Sequence, residues 1–462
     1  MATWGVAILA AGKGRRMKSS QPKVLHLLSG RPMVWHVVDT ARQLGLERMV
    51  AVVGQPSAPF RELLGDALEY AEQAEPLGTG HALLQARPLL EGRAEQVLAL
   101  NGDVPLILPD LLRQLVECHT AGRARLTFLS CDSGDPAGLG RVLRDARGRV
   151  VGIIEDDRAT PQEKAIREWN CGLYAFQGSW LWPHLAALPR SKNGEFLLTD
   201  LIAEAAAEEG VKAVVSHDAT QVLGINNRLH LAQAEAVLRQ RIRERVMLGG
   251  VTLLDPPSTF IDTGVTIGQD TVVYPNSTVG GSSVIGKDCH IGPSSIIVDS
   301  TLGDRCRVVA SVVEGATLGE GVEVGPFSHV RPESYLEDGV HLGNFAEVKK
   351  SRLGRNTRMG HFSYIGDADV GAEVNIGAGT ITCNFDGLNK YRTLIGAGAF
   401  IGSDTMLVAP VEVGEGAVTG AGSVVNRDVP PGALAVGAPA RLRRRGQMRS
   451  PSGRGGKSGQ QA

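Results

Sequence analysis

Ile267-Gly-Gln-Asp-Thr-Val-Val273-Tyr-Pro-Asn-Ser-Thr-Val279-Gly-Gly-Ser-Ser-Val-Ile285-Gly-Lys-Asp-Cys-His-Ile291-Gly-Pro-Ser-Ser-Ile-Ile297 places an aliphatic side chain at every sixth position, often with glycine after it. The same beat returns in another register at Leu318, Val324, Val330, Leu336, Leu342 and Val348, then at Leu353, Met359 and Ile365, and again at Ile395, Ile401, Leu407 and Val413. A helix needs apolar spacing near 3.6 and an amphipathic strand spacing of 2, so a strict six belongs to neither. It fits a solenoid whose short strands each turn one aliphatic residue inward, with glycine or small residues at the corners. The chain holds 58 glycines, about twice the ordinary ~7% share, and tight corners that need a residue without a Cβ would account for them. The reading is a parallel β-helix over 251–440. Cys383-Asn-Phe-Asp-Gly-Leu-Asn-Lys-Tyr-Arg-Thr393 interrupts the rhythm as a polar loop inserted into a coil, functional or decorative with equal weight. Cys383 itself reads as a small packed residue.

Upstream, residues 4–228 alternate short apolar runs with amphipathic stretches. Val6–Ala10, Met49–Val53, Val97–Leu100 and Leu126–Ser130 read as buried strands, and Met33–Leu44, Ala82–Leu90 and Leu111–His119 carry helical spacing. That alternation predicts an α/β domain with a largely parallel sheet. Residues 229–250 follow as a connecting helix, without a turn signal before Gly249-Gly250. Residues 441–462 hold seven basic side chains and no acidic one among Ser, Gly, Pro and Gln, and are expected to be a disordered basic tail.

Lys plus Arg (48) nearly balances Asp plus Glu (49), which argues against nucleic acid or a membrane surface as partner. Six scattered cysteines without a CxxC pair fit a reduced, cytoplasmic protein. The opening Met1-Ala-Thr-Trp-Gly-Val reads as a first strand rather than a leader, and no run is long enough for a membrane-spanning helix.

Leu9-Ala-Ala-Gly-Lys-Gly-Arg-Arg-Met17 follows the first strand directly. Glycines at 12 and 14 allow backbone amides close to a phosphate, and Lys13 and Arg16 neutralise its charge. The spacing is not that of a Walker A loop. Lys23 adds a further cation just downstream. Asn101-Gly-Asp103-Val-Pro closes the Val97–Leu100 strand, where open α/β sheets bind ligands, and Asp103 suits Mg²⁺ when phosphate oxygens complete its shell. Its plainer reading is a turn aspartate ahead of Leu111. In the second half, His361 lies in Arg358-Met-Gly-His-Phe-Ser-Tyr364. A lone histidine at a corner is usually structural, but Arg331, Lys349, Tyr364, Asn375 and Asn384 fall within a few coils of it. Histidine suits a general base because it titrates near neutrality, and Arg331 and Lys349 could clamp a phosphate.

With the glycine loop, Pro22-Lys23-Val-Leu-His26, Gln73-Ala-Glu-Pro-Leu-Gly-Thr-Gly-His81, Gly102-Asp-Val-Pro105 and Asn226-Asn-Arg228 in this order, the chain resembles over residues 4–440 the bacterial bifunctional N-acetylglucosamine-1-phosphate uridylyltransferase/glucosamine-1-phosphate N-acetyltransferases. Gly377-Ala-Gly-Thr-Ile-Thr-Cys-Asn384-Phe385 resembles the acetyltransferase signature of the same family. The resemblance implies a Rossmann-like nucleotidyltransferase domain followed by a left-handed parallel β-helix. It implies Mg²⁺ as cofactor, UTP and acetyl-CoA as co-substrates, glucosamine 1-phosphate and N-acetylglucosamine 1-phosphate as substrates, and a homotrimer with acetyl sites shared between neighbours. Carried position by position, Leu9, Ala10, Ala11 and Gly12 would hold the nucleotide, with Gln73, Gly78 and Thr79 near uracil and Arg16 and Lys23 facing phosphates. Gly140, Glu155 and Asn170 would line the sugar pocket, and Asp103 and Asn226 would hold Mg²⁺. His361 would be the acetyl-transfer base; Arg331, Lys349, Tyr364, Asn375, Asn384 and Phe385 would bind the amino sugar phosphate. Ala378, Ser403 and Ala421 would contact acetyl-CoA. The sequence departs from the family at Asn101, where an aromatic residue is expected, at Glu155-Asp-Asp-Arg158, and at Ala438, where one family pattern has an arginine that Arg441 would replace. The alternative is a nucleotidyltransferase whose β-helix is only structural.

Overall fold

The computed structural model describes residues 2–443 apart from 47, 67, 123 and 192. Its contacts divide the chain into one unit of Met1–Leu238 and a second beginning at Arg239.

The first unit is built on nine strands: β1 (Trp4–Ala10), β2 (Met49–Gly54), β3 (Glu69–Gln73), β4 (Gln96–Asn101), β5 (Leu126–Cys131), β6 (Arg141–Arg144), β7 (Val150–Ile154), β8 (Trp169–Gln177) and β9 (Val211–Ser216). They run in the order β9-β5-β8-β4-β1-β2-β3, with the β6–β7 hairpin attached to β8. All neighbours in that path are parallel except β8, which is antiparallel to both β4 and β5. Alternate residues of β1 feed opposite cores. Val6 and Ile8 pack with Val34, Leu98 and Leu100 on one face, and Ala7 packs with Val50, Leu83 and Phe176 on the other. The carboxyl ends of β1, β2, β3 and β4 therefore open along one edge.

Helix α1 spans Met33–Gln43. The helix expected at Ala82–Leu90 is corrected to two, α2 (Thr79–Gln85) and α3 (Arg87–Leu90), because Pro88 has no N–H for the helical ladder. Helix α4 (Pro109–Gly122) and the long α5 (Arg228–Leu248) follow. Ala234 of α5 is fully buried with Leu28, Met33 and Ile225, whereas Ile242 and Val246 are buried further along.

The second unit is a three-sided parallel β-helix. Its first face starts at Thr252–Leu253, its second at Phe260–Ile261 and its third at Thr266–Ile267; among the described residues they carry twelve, ten and nine strands. Residues six apart stand on successive faces, and the next coil stacks on them in register, Val273 on Ile291 and Ile291 on Val308. Every aliphatic position of the repeat is buried except Ile267 in the first coil, which is half-buried.

Changes of register in the repeat arise mainly at the edge between the second and third faces. That turn loses one residue between Ile297 and Leu302, Val313 and Leu318, Val348 and Leu353, and Ile365 and Val370. The edge between the first and second faces keeps its length from Leu342–Val348 through Met359–Ile365 and Ile401–Leu407 to Thr419–Val425.

The glycines that follow the aliphatic positions have a different cause from the one expected. Many corners with positive φ are occupied by Asp270, Asn276, Asp288, Arg305 and other non-glycine residues. The repeat glycines instead stack backbone on backbone: a Cβ on Gly268 would stand 2.6 Å from the Gly286 carbonyl carbon of the next coil. The expected tail is corrected at its start, because Arg441–Arg443 pair antiparallel with Leu434–Val436 and so complete the last coil. Residues 444–462, for which disorder is expected, lie outside the described residues.

Candidate functional site

At the carboxyl edge of the sheet, a cavity of about 640 Å³ is lined by Leu9, Ala10, Ala11, Gly12, Lys13, Arg15, Arg16, Lys23, Gln73, Gly78, Thr79, Asn101 and Asp103 among others. Eleven of the nucleotide-, phosphate- and metal-site residues expected from the sequence thus converge. No protein atom lies within 4 Å of where a Gly12 Cβ would stand, so the space before its amide belongs to the cavity. Gly14 has another task. With φ at 57° and Lys23 Cβ only 2.5 Å from its missing Cβ, it lets Lys23 cross the loop.

Asn226 does not line this cavity but reaches its cations. Arg16 Nη2 donates to Asn226 Oδ1 at 3.0 Å and Lys23 Nζ donates to the same oxygen at 3.2 Å, while Lys23 Nζ also donates to the Asp103 carboxylate. An ammonium thus sits against both oxygens proposed for a metal. Two hard oxygen donors meeting at one cation fit Mg²⁺, which is held by few protein ligands and completes its shell with water and phosphate. Among the described residues no group of three or more His, Cys, Asp or Glu could hold an ion by itself.

Gly140, Glu155 and Asn170 form an adjoining cluster. Asn170 N donates to Gly140 O at 2.9 Å, and a Cβ on Gly140 would stand 3.3 Å from Glu155 Oε2. Asn170 Nδ2 donates to Tyr174 Oη at 2.7 Å across a β-bulge opened by Gly172, and burial pushes the Tyr174 hydroxyl well above the usual phenol range, so it remains neutral. The bulge also accounts for Asn101, whose amide occupies the space a Gly172 side chain would need. The acidic run after Glu155 is engaged locally: Asp156 pairs with Arg141 at 3.1 Å, and Asp157 accepts from Asn193 Nδ2 at 3.1 Å.

The segment Glu195–Thr199 joins the two clusters and was missed in the sequence reading. Glu195 and Leu197 line the cavity, Leu198 N donates to Thr79 Oγ1 at 3.2 Å, and Thr199 Oγ1 donates to Glu155 Oε1 at 2.8 Å. Phe196 closes the wall through Phe196 N to Leu77 O and Gly80 N to Phe196 O, both 2.8 Å. Most of this contribution is backbone, which leaves no residue-type signature; the Asn193-Gly194 turn was the available hint.

On the β-helix, His361 is exposed at the edge between the first and second faces. Ala378, Ser403 and Ala421 occupy the same edge in the following coils, linked by Gly379 N to Phe362 O at 2.7 Å, Asp404 N to Ala378 O at 2.7 Å and Gly422 N to Ser403 O at 2.8 Å. The Gly437-Ala438 turn continues the column, with Val424 N donating to Gly437 O at 3.0 Å, and exposed Arg441 follows in the edge strand. Arg331, Lys349 and Tyr364 stand on the second face in consecutive coils; Arg331 Nε donates to Glu347 Oε1, and Glu347 is the register partner of Tyr364. The Tyr364 hydroxyl lies over Gly366, 2.2 Å from where a Cβ would be. Asn375 is on the first face between Arg358 and Phe400. Asn384 is buried and donates through Nδ2 to Asp367, whereas Phe385 is exposed in the inserted loop beyond it. That loop is closed by a Phe385–Lys390 bridge and by the Asp386 carboxylate, which accepts from the Leu388 and Asn389 amides; these bonds hold its pKa below the usual range.

A family model of MobA-like NTP transferase domains matches residues 6–247, and one of bacterial transferase hexapeptides matches residues 264–299 and 392–427. The chain is 47% identical over 433 residues to the bifunctional protein GlmU of Heliobacterium modesticaldum, covering 93% of this chain and 94% of that one. It is 45% identical over 432 residues to GlmU of a Geobacillus species, with 93% and 94% covered. To GlmU of Pelobacter propionicus it is 45% identical over 445 residues, with 95% and 96% covered. With the glycine-loop cavity in one unit and the hexapeptide β-helix in the other, the chain belongs to the bifunctional GlmU family of nucleotidyltransferase–hexapeptide transferase enzymes.

Proposed function

We propose that the chain performs two successive transfers. Glucosamine 1-phosphate is N-acetylated from acetyl-CoA on the β-helix, and N-acetylglucosamine 1-phosphate then takes a uridylyl group from UTP at the sheet edge, yielding UDP-N-acetylglucosamine, a cell-wall precursor, and pyrophosphate. The observation that carries the reading is the meeting of Lys23 with Asp103 and Asn226, 80 and 203 residues away in sequence, beside a loop open at Gly12.

In uridylyl transfer, a phosphate oxygen of the sugar attacks the α-phosphorus of UTP and pyrophosphate leaves in line. No enzyme nucleophile is needed, so the work of the chain is positioning and charge neutralisation. Amides at Ala11–Gly12 and the cations Lys13, Arg16 and Lys23 would face the phosphates, and Gly140, Glu155 and Asn170 would orient the sugar. Asp103 and Asn226 would hold Mg²⁺, which when bound supplies positive charge to phosphate oxygens. In acetyl transfer, the neutral amine attacks the thioester carbonyl, His361 takes the amine proton, and CoA leaves as the thiolate. Arg331, Lys349, Tyr364, Asn375, Asn384 and Phe385 would hold the amino sugar phosphate. The column Ala378, Ser403 and Ala421, ending near Arg441, offers small side chains along which a CoA arm can lie.

We assign 1–228 to uridylyl transfer, 229–250 to the connecting helix and 251–440 to acetyl transfer, and place the enzyme in the cytoplasm. A homotrimer sharing its acetyl sites is supported by Phe327, Phe345 and Phe362, exposed by 61%, 61% and 58% in successive coils beside His361; the first two stack with centroids 5.4 Å apart. A coupled assay with glucosamine 1-phosphate, acetyl-CoA, UTP and Mg²⁺, following CoA and pyrophosphate separately, tests the scheme. Release of both, with pyrophosphate dependent on acetylation, is expected. Pyrophosphate formed only from supplied N-acetylglucosamine 1-phosphate, without CoA release, would reduce the β-helix to a structural part.

A further inference from the structure

Gln73, the last residue of β3, lines the nucleotide cavity and is 5% exposed. Its Nε2 lies 3.3 Å from Gly78 O and 2.9 Å from His81 Nδ1. A carbonyl only accepts, so Gly78 identifies the amide atom on that side as nitrogen. The second N–H of the amide then needs a bare nitrogen at His81 Nδ1, which places the ring proton on Nε2. Both donors of Gln73 are committed, and Oε1 is the atom left to the cavity.

A competitor exists for the lone pair of His81. Gln85 Nε2 donates to His81 O at 3.0 Å and stands 3.2 Å from the ring Nε2. A neutral imidazole has one bare nitrogen and cannot accept from both amides. Gln85 is half-buried on α2, so its amide can swing out to water, giving up the 3.0 Å bond to His81 O. Gln73 cannot turn without setting its oxygen against Gly78 O inside the wall.

We propose that His81 is a positioning residue for base selection: together with the Gly78 carbonyl, it locks the Gln73 amide so that an acceptor faces the nucleobase. This rests on the reading that Gln73 lies beside the base. An acceptor there matches the imino N3–H of a uracil-type base and opposes the bare N3 of cytosine. His81 touches neither phosphate nor sugar in this role. It acts through Gln73, and the discrimination belongs to binding rather than to the chemical step.

The test compares UTP with CTP in the wild type and in His81→Leu, Gln85→Leu and Gln73→Ala, with acetyl transfer and thermal unfolding as controls for folding. In His81→Leu the UTP/CTP ratio of kcat/KM falls about 5- to 10-fold, the scale of one lost hydrogen bond, through KM for UTP with kcat little changed. Gln85→Leu removes the competitor and leaves the ratio at least as high. An unchanged ratio in His81→Leu, or a lowered one in Gln85→Leu, overturns the proposal. Gln73→Ala tests the underlying placement: if its ratio is unchanged, Gln73 does not face the base; if it falls while that of His81→Leu does not, only the lock fails. Nitrogen NMR of the wild-type imidazole gives a readout that needs no variant. The Nε2–H tautomer is expected, and a protonated Nδ1 in the neutral ring refutes the lock.

Discussion

Gly78→Ala tests the wall between the base and sugar regions. Gly78 has φ at 100°, and a Cβ there would lie 2.5 Å from Phe196 O and 2.9 Å from Phe196 N. The backbone conformation costs an L side chain about 1–3 kcal/mol. The clash is with backbone atoms, so Phe196 must move. Its bonds to Leu77 O and from Gly80 N, both 2.8 Å, then open at about 1 kcal/mol each. Together these cost about 3–5 kcal/mol, enough to displace the segment but within the stability of an ordinary domain. Displacement carries away Leu197 and the Thr79 and Glu155 contacts of Leu198 and Thr199. If that cost falls on substrate binding, KM for UTP rises at least about 150-fold, while acetyl transfer stays within about twofold. Urea unfolding and separate kinetics of the two transfers measure both terms. Gly12→Ala is the companion: its Cβ meets no protein atom within 4 Å, so stability stays within about 0.5 kcal/mol while UTP binding weakens. A Gly78→Ala enzyme with unchanged stability and unchanged KM would refute the wall.

His361→Ala should lower acetyl transfer by about 10²–10⁴-fold and leave uridylyl transfer nearly intact; loss of both in a folded variant would deny the separation of sites. In Lys23→Met, Mn²⁺ binding without nucleotide, read by electron paramagnetic resonance, should tighten several-fold because the competing ammonium is gone from Asp103 and Asn226, while uridylyl kcat/KM drops; an unchanged Mn²⁺ affinity would contradict that competition. Burial lowers the pKa of His119 to about 4, so the unfolded chain binds the proton first as pH falls through 6.5. The first unit should therefore lose up to about 3 kcal/mol between pH 6.5 and 4, and His119→Gln should lack that component in urea unfolding followed against pH. Gly366→Ala should push Tyr364 aside, raising KM for glucosamine 1-phosphate with little change in uridylyl transfer; an unaltered KM would mean the Tyr364 hydroxyl is not needed where it lies.

The β-helix was legible because each face of a coil buries one aliphatic residue at a fixed interval; Val273, Val279 and Ile285 announce themselves by position alone. The reason for its glycines was not legible, since stacking against the next coil is a contact between residues far apart in sequence. Strand β8 escaped the same reading: Trp169–Gln177 is buried almost throughout and broken by the Gly172 bulge, so no period of two survives. Motif residues such as Gly12, Lys23 and Asp103 carry their chemistry in their side chains or lack of one, and were found. Phe196 contributes backbone atoms that any residue could supply, and was not. Gly140, Glu155 and Asn170 fall together, but beside the lined cavity rather than in it, a distinction set by the bulge and by Thr199.

The two edges of the β-helix differ in what they tolerate. Along the His361 column the turn length is constant from Leu342 onward, and every small corner residue that would meet CoA depends on that constancy. The edge between the second and third faces has already absorbed single-residue deletions and the Asn384–Tyr391 insertion, whose Leu388 is 89% exposed. It acts as a seam with slack, where foreign peptides or reporter sequences could be spliced near Leu388 while the strand stacking above and below stays in phase. One extra residue in the edge between the first and second faces would bulge its own corner and carry a small residue of the acetyl column out of line with those above and below it.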